Sequence, residues 1–544
     1  MAYTIKTTNI TSWPEWVPFE PSQLEQIEPS VIGAITLGVL SFLYLGSIVN
    51  SLLFGVKAPF VGYRSFFEPT WLLRLRFVWS GPSIINEGYR LHKESLFQLR
   101  RIGTDILLLP SKYVEEIRTL TKDETRSVEP FIHDFVGDYT RGLVFLQSDL
   151  QNRVIQQKLT PYLSSLTAVM KTELDLALKL EVPSCEDEWV KVDLNFIFTR
   201  IIARISARVF LGPEQCYNEE WLSTTAEYSK NLFITGMILR LFPKVMRPFV
   251  APLLPTYRAL LSNVATGRRV VTSIVTSRRA DEAQWGEQYA RPTDILQWMM
   301  DSATGEEQLI ENLSQRILIL SLASIHTTAL TMTQAMYDLC ANPEHFEPLR
   351  QEVTEVLRRE GGWKKTTLNY FLRLDSLLKE SQRFNPVFLL TFNRIFHKPL
   401  KLSDGTVLPA GTRVAVAANA KLQDAAHVPG PAGPGEFDPF RYSRLREDPA
   451  HPENAQKHLF AMIDSNNMAF GYGKYGCPGR FYASNEMKLV LAHLLLLYDI
   501  KLQDGQGRPK NLSVDSDMFP DPAARVLIKK RGVADQAIRE LVES

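Results

Sequence analysis

Cysteine is scarce in this chain of 544 residues: Cys185, Cys216, Cys340 and Cys477 are the only four, and none stand in C-x-x-C spacing. That argues against a disulfide framework or a zinc site and makes a reducing compartment the simpler reading. Net charge is nearly absent too, with 61 Lys and Arg against 60 Asp and Glu, a formal +1. So balanced a chain gives no reason to expect a nucleic-acid partner. Internal repeats and low-complexity linkers are missing, as is the Gly-x-x-x-x-Gly-Lys-Ser/Thr order of a phosphate loop. What is present is ordinary globular composition, 45% hydrophobic and 22% charged, in a chain long enough to bury a large core.

One long uncharged run stands near the N-terminus. Val31 to Phe54 has 24 residues without a charge. As a helix it measures roughly 36 Å, enough to cross a hydrocarbon core of about 30 Å. A buried core helix is the alternative; a cleaved signal peptide fits worse, because no basic region precedes the run. Before it lie Lys6, Glu15, Glu20, Glu25 and Glu28; after it come Lys57, Arg64, Arg74 and Arg76 with Glu68. The positive-inside rule then predicts a lumenal tail over 1–30, a transmembrane anchor over 31–54 and a cytosolic body over 55–544. Asn9-Ile10-Thr11 is a glycosylation acceptor on the lumenal side. Pro59 and Gly62 read as a hinge into the body.

Helical periodicity dominates from about Ser83 to Phe384. Leu309 to Cys340 forms one apolar stretch of 32 residues that Asn342-Pro343 stops, so a helix there runs through the whole domain. Strand signals come later. Leu400-Lys401-Leu402 leads through the turn dipeptide Asp404-Gly405 into Thr406–Pro409, and Thr412–Ala417 alternates as a strand. A last helix spans about Arg480 to Tyr498. The fold class is mainly α with small β-sheets, as one large domain.

Residues 470–483 read FGYGKYGCPGRFYA, with Gly471, Gly473, Gly476 and Gly479 around Cys477. Glycines let a backbone approach a ligand closely, and the helix that starts behind Cys477 favours a thiolate. On the residues alone an inert buried cysteine in a Gly-rich turn stays open. Glu380 and Arg383 share a helix face, which by itself reads as a surface ion pair worth about 0–1 kcal/mol. His326, among small and hydroxyl residues on an apolar helix, reads as a core histidine or as a proton-handling group.

The run Phe470-x-x-Gly473-x-x-x-Cys477-x-Gly479 resembles the haem-binding signature of the cytochrome P-450 family. The resemblance covers roughly residues 58–535 and looks most like membrane-bound fungal enzymes of secondary metabolism. It implies the cytochrome P-450 fold with an N-terminal transmembrane helix, haem b as cofactor, and Cys477 as axial ligand of the haem iron. Tyr475 stands where the family commonly has Arg or His toward a haem propionate, and Arg394 stands where a propionate arginine is often placed. Glu380-Ser381-Gln382-Arg383 and Phe437-Asp438-Pro439-Phe440-Arg441 resemble two further family motifs, implying one buried network of Glu380, Arg383 and Arg441. Ala323-Ser324-Ile325-His326-Thr327-Thr328 resembles the oxygen-activation segment, with His326 in place of the usual acid and Ser324 in place of the usual glycine. Thr327 and His326 are then to handle protons. The family's Trp-x-x-x-Arg segment is absent near Asp149–Leu159, where Arg153 is the candidate substitute. Val387, Phe388, Leu389, Leu390, Thr391 and Phe392 are to line the substrate pocket, or else to be core.

The function implied is a monooxygenase acting on a large apolar substrate such as a terpenoid, indole-terpenoid or polyketide. Electrons are to come from NADPH through a separate NADPH–cytochrome P-450 reductase, and the location is the endoplasmic-reticulum membrane as a single-pass protein. Two rivals are a dioxygen-independent haem-thiolate isomerase or dehydratase and a non-catalytic haem- or hydrophobe-binding membrane protein. Turnover with NADPH and reductase separates them.

Overall fold

A computed structural model describes residues 56–364 and 366–532, with Gly38 and Glu540 as isolated positions. The chain divides into two compact units, Met1–Lys57 and Ala58–Ser544. The predicted anchor over 31–54 and Asn9 lie outside the described residues, apart from Gly38.

The second unit is built on helices. The principal ones are α1 (Thr70–Leu91), α2 (Glu129–Asp134), α3 (Thr160–Glu181), α4 (Leu194–Leu211), α5 (Glu219–Arg240), α6 (Pro255–Trp285), α7 (Ile310–Ala341), α8 (Phe346–Glu360), α9 (Leu372–Phe384) and α10 (Arg480–Leu497). Their ends carry the expected chemistry. The Asp193 carboxylate accepts from Phe196 N–H at 3.0 Å and caps α4; Asn218 accepts from Trp221 N–H at 3.1 Å and caps α5. Gly361, at φ 67°, ends α8 in the left-handed conformation that glycine adopts without strain.

The central helix α7 has 32 residues and packs against α4, α5, α6, α9 and α10. It is long and apolar enough to cross a membrane, but 67% of its most apolar window is buried inside the protein, so it is a core helix. The main hydrophobic cluster gathers Leu174, Phe198, Ile317, Met332, Leu377 and Leu491 around it.

Of the twelve strands among the described residues, the two at Leu400–Lys401 and Val407–Leu408 form a small hairpin and ten frame this bundle: β1 (Phe97–Arg101), β2 (Thr104–Leu108), β3 (Thr125–Arg126), β4 (Val190–Val192), β5 (Thr391–Phe396), β6 (Arg413–Val416), β7 (Tyr498–Leu502), β8 (Leu512–Val514), β9 (Asp517–Phe519) and β10 (Val526–Lys530). Five form a sheet in the order β1-β2-β6-β5-β3; β4, β10 and β7 form a second; β8 and β9 form a hairpin. The predicted hairpin at Asp404-Gly405 is present, pairing Leu400 with Leu408 and Lys401 with Val407. A second core cluster joins α1 to the large sheet through Leu73, Phe77, Leu99, Leu108 and Leu389.

The helical region starts earlier than its periodicity suggested, at Thr70, because α1 docks on this sheet. The segment around Pro59 and Gly62 is not a free hinge. Val61 N–H donates to Gln98 O at 3.0 Å and Gln98 N–H donates to Pro59 O at 2.8 Å, which ties it to β1. The sequence showed the Pro and Gly but not the strand edge beside them.

Candidate active site

The cysteine loop lies between a buried apolar residue, Met468, and α10. Gly471 (φ 75°) and Gly473 (φ 71°) take left-handed conformations that a side chain would strain, and Cys477 N–H closes the loop on Phe470 O at 2.7 Å. A Cβ on Gly473 would meet the Arg118 Cβ at 2.8 Å, so that glycine also permits a close approach. Cys477 alone among the four cysteines is exposed. Enclosure by the surrounding protein raises its thiol pKa; the backbone N–H groups of Gly479 and Arg480 and the Arg480 charge pull the other way without prevailing.

Behind the loop, Glu380, Arg383 and Arg441 meet. Arg383 grips Glu380 through Nε at 2.9 Å and a terminal nitrogen at 2.8 Å; Arg441 Nε reaches the same carboxylate at 3.3 Å. All three are at most 1% exposed. Arg383 also donates to the carbonyls of Leu422, Pro434 and Glu436, and Arg441 to those of Pro429, Ala432, Gly433 and Glu436. This is a fully buried pair with its remaining donors satisfied, not a surface pair.

Arg394 comes from β5, where the pairing with β6 shifts between Thr391 and Arg394 and Phe392 adopts φ 55°. Such irregularities re-aim side chains. Its guanidinium lies between the rings of Phe392 (4.4 Å) and Tyr475 (5.0 Å), 2% exposed. It donates to Asn393 O at 2.7 Å and Tyr472 O at 3.5 Å, and its Nε has no partner. Among the described residues no carboxylate pairs with it, and burial lowers its pKa to about 10. A buried cation in this condition needs an anion. Tyr475 directs its hydroxyl to Leu120 O at 3.4 Å, so its ring supports Arg394 while its oxygen is engaged elsewhere. Arg153, the candidate in the preceding helix, is held by Asp149 at 2.9 Å and Glu307 at 3.0 Å and offers no free charge.

On α7, Thr327 Oγ1 donates to Ala323 O at 2.7 Å, and Ala323 itself is exposed in mid-helix. His326 turns toward α5. Burial lowers its pKa, although the Ala226 carbonyl opposes that shift, and its Nε2 has no partner. The stretch 387–392 splits in two. Phe388 and Leu390 line a small cavity with Phe131, Phe135 and Phe233, while Leu389, Leu390 and Phe392 are at most 4% exposed and serve the core. Val387 O accepts from Met518 N–H at 3.0 Å, and Thr391 is a buried strand residue whose hydroxyl has no partner.

The same cavity carries a charge cluster that no local motif marks: Arg101, Asp134, Arg240, Arg413 and Asp517, with Asp515 behind them. Asp134 bonds Arg101 at 2.6 Å and Arg413 at 2.7 Å. Burial alone would raise its pKa, but Arg101 and Arg413 hold it well below the usual carboxylate range. Asp517 lacks such a bond, and burial pushes it up to about 7.

An accessible thiol in a glycine-rich loop, a buried unpaired arginine and an open patch on the core helix fit a flat, dianionic macrocycle bound through sulfur to iron. A helical bundle with side sheets and such a thiolate loop is the arrangement of haem-thiolate proteins. Residues 91–527 match the family described as Cytochrome P450. The chain is 64% identical over 482 residues, 88% of its length and 94% of the relative's, to "Ent-kaurene oxidase P450-4" of Gibberella fujikuroi. It is 48% identical to "Cytochrome P450 monooxygenase AN1598" of Emericella nidulans (92% of each chain) and 37% identical to "Cytochrome P450 monooxygenase paxP" of Penicillium paxilli (88% and 91%). The structure titled "Retinoic acid bound cyanobacterial CYP120A1" shares the fold at TM-score 0.63, with 18% identity, over 84% of this chain and 96% of that one. The chain belongs to the cytochrome P450 family and is a monooxygenase of that family.

Proposed function

We propose that this enzyme oxidises ent-kaurene or a closely related diterpene hydrocarbon at the endoplasmic-reticulum membrane. The observation that carries the reading is the 64% identity to ent-kaurene oxidases across almost the whole body. A thiolate-held haem, when bound, supplies dioxygen activation with electrons passed from NADPH by a reductase. Cys477 would hold the metal through its sulfur, steadied by the N–H groups of Gly479 and Arg480. Arg394, aligned by the Phe392 and Tyr475 rings, would pair with a haem propionate. Phe470, Gly473 and Gly479 shape the loop. Glu380, Arg383 and Arg441 keep the protein behind it rigid. Phe131, Phe233, Phe388 and Leu390 offer the apolar wall that a hydrocarbon requires. The Thr327 hydroxyl stands on α7 to position protons, while His326 is turned toward α5.

Membrane attachment is supported by the uncharged run 31–54 and by exposed apolar side chains on the body. Phe66, Phe67, Trp71 and Trp79 are 63–97% exposed, and Val245, Phe249 and Leu253 are 74–75% exposed. The test is microsomes carrying the chain with NADPH–cytochrome P-450 reductase, supplied with ent-kaurene and NADPH. Oxygenated diterpenoid that requires both NADPH and dioxygen is expected. A full ferrous–CO spectrum with no ent-kaurene consumed would overturn the substrate assignment. Protease on intact microsomes should digest the body and spare a tag at Met1; a protected body would reverse the topology.

A further inference from the structure

The cavity where β1, α2, α5, β6 and β9 meet is lined by more cation than anion. Arg101, Arg240 and Arg413 face it, each with nine-tenths or more of its side chain buried. Asp134 accepts two bonds from Arg413, both at 2.7 Å, and one from Arg101 at 2.6 Å. Asp515, behind the cavity wall, accepts from Arg101 Nε and, at 3.2 Å, from Arg240. These two carboxylates leave Arg240 Nε and Arg413 Nε without a partner, although both atoms are buried. The third carboxylate, Asp517, bonds none of the arginines. Three guanidiniums thus stand against two bonded carboxylates. A buried donor without an acceptor costs about 1–3 kcal/mol, and more on a charged group, so the site is open to one further anion. The rest of the lining is largely aromatic. Phe131 meets Phe388 with ring centroids 5.7 Å apart, and Phe135 meets Phe233 at 5.8 Å.

We propose that this cavity binds the carboxylate end of an apolar monocarboxylic acid, with Arg240 and Arg413 donating to its oxygens and the phenylalanine rings against its body. A guanidinium matches a carboxylate in shape and in charge. One negative charge equals the excess; a phosphate dianion would exceed it, and a halide would leave the rings without a partner. Asp517 sets the pH at which the site is charged for this ligand. Burial raises its pKa to about 7 against the pull of Arg101, with Asp515 and Asp134 adding to the rise. Below that pH Asp517 is neutral, leaves the excess positive charge in place and can donate its proton in a hydrogen bond to the bound oxygen. Above it, the Asp517 carboxylate cancels that charge and repels the acid. The charged groups around Asp517 are Arg101 of β1, Asp134 of α2, Arg240 of α5, Arg413 of β6 and Asp515 before β9. The acid shares the aromatic wall assigned above to a hydrocarbon, but the inference rests on the arginines and not on the choice of ent-kaurene.

Full-length holoenzyme is titrated with sodium benzoate as the probe and with benzamide as its uncharged counterpart, at pH 6 and at pH 8. Equilibrium dialysis and thermal unfolding follow the binding. The haem is kept in its ferrous–CO form, so that the iron offers the probe no site, and the same band checks haem content in each variant. No turnover is needed, so failure here and failure of the substrate assignment are separate results. Benzoate should bind at pH 6 and about threefold to tenfold more weakly at pH 8, because Asp517 loses its proton between them. Asp517→Asn should bind at pH 8 as tightly as the wild type does at pH 6. Arg240→Gln should weaken binding at pH 6 by about tenfold or more, the loss of a charge-assisted hydrogen bond. Equal binding of benzoate and benzamide would overturn the proposal. So would a wild-type affinity equal at the two pH values, or a pH dependence that Asp517→Asn leaves in place, even if Arg240→Gln failed to load haem. A folded holoenzyme that takes up no benzoate at pH 6 would overturn it as well.

Discussion

Two buried charge networks in this molecule are built in different ways. Glu380 and Arg383 come from α9 and Arg441 from a later segment, and the arginines are completed by backbone carbonyls from the loop at 422–436. None of their side-chain nitrogens is left without a partner. Arg101, Asp134, Arg240, Arg413, Asp515 and Asp517 instead come from five elements and hold each other chiefly through side chains. Here Arg240 Nε and Arg413 Nε have no partner, and Asp517 bonds none of the arginines. Backbone carbonyls cannot titrate or leave, so the first network is permanent. The second depends on which carboxylates are ionised and on how α2, α5 and the β8–β9 hairpin approach one another. It faces the small cavity that Phe131, Phe233, Phe388 and Leu390 also line.

The sharpest way to break this contrast is Glu380→Ala. It strands two arginines in a site with 0–1% exposure, and an unpaired buried charge costs about 3–5 kcal/mol. Little haem-loaded protein should form, measured by the ferrous–CO band and by thermal unfolding. A well-folded variant would show that the carbonyls alone hold the arginines.

Asp134→Ala should cost less, about 1–3 kcal/mol, because Asp515 remains beside Arg101 and Arg240. Arginines hold the Asp134 pKa below its unfolded value, so its contribution is present above about pH 4 and is lost as pH falls further. The gap between wild type and variant in thermal unfolding should therefore narrow in acid. A constant gap would mean that the loss is one of packing.

Asp517 has the opposite sign. Its pKa is raised to about 7, so it costs stability as pH climbs from about 4 to 7, and the cost stays level above that. Asp517→Asn should raise the unfolding temperature at pH 8 and change it little at pH 4.5. No gain at pH 8 would place a cation closer to Asp517 than its described partners. The smallest effect belongs to the exposed pair of Arg291 and Glu282: Glu282→Ala should shift stability by no more than about 0.5 kcal/mol.

Much of the site could be read along the chain because its chemistry is carried by short fixed spacings. The Cys477 loop, the Glu380–Arg383 pair and the start of α10 are each set by contiguous residues. The long helix over 310–341 announced itself by an apolar run that no turn signal interrupts. The Asp404-Gly405 hairpin likewise follows from a turn dipeptide between strand-forming residues. Other assignments needed the fold. Tyr475 looked like a propionate contact, but its hydroxyl bonds Leu120 and its ring supports Arg394. Val387–Phe392 read as a lining segment or as core, and the fold divides it: Phe388 and Leu390 line the cavity, while Leu389 and Phe392 are buried in the core.

By itself, then, the sequence determined the family, the helical class and the ordering of the motifs, because these depend on local backbone geometry and on residues close in the chain. Tertiary structure alone decided that Arg394 is a buried cation without a carboxylate among the described residues, that His326 turns to α5, and that five charges from five elements converge on the cavity. Those outcomes depend on burial and on through-space pairing between distant segments. Both set the electrostatic energy of a charge, and neither is encoded in any local pattern.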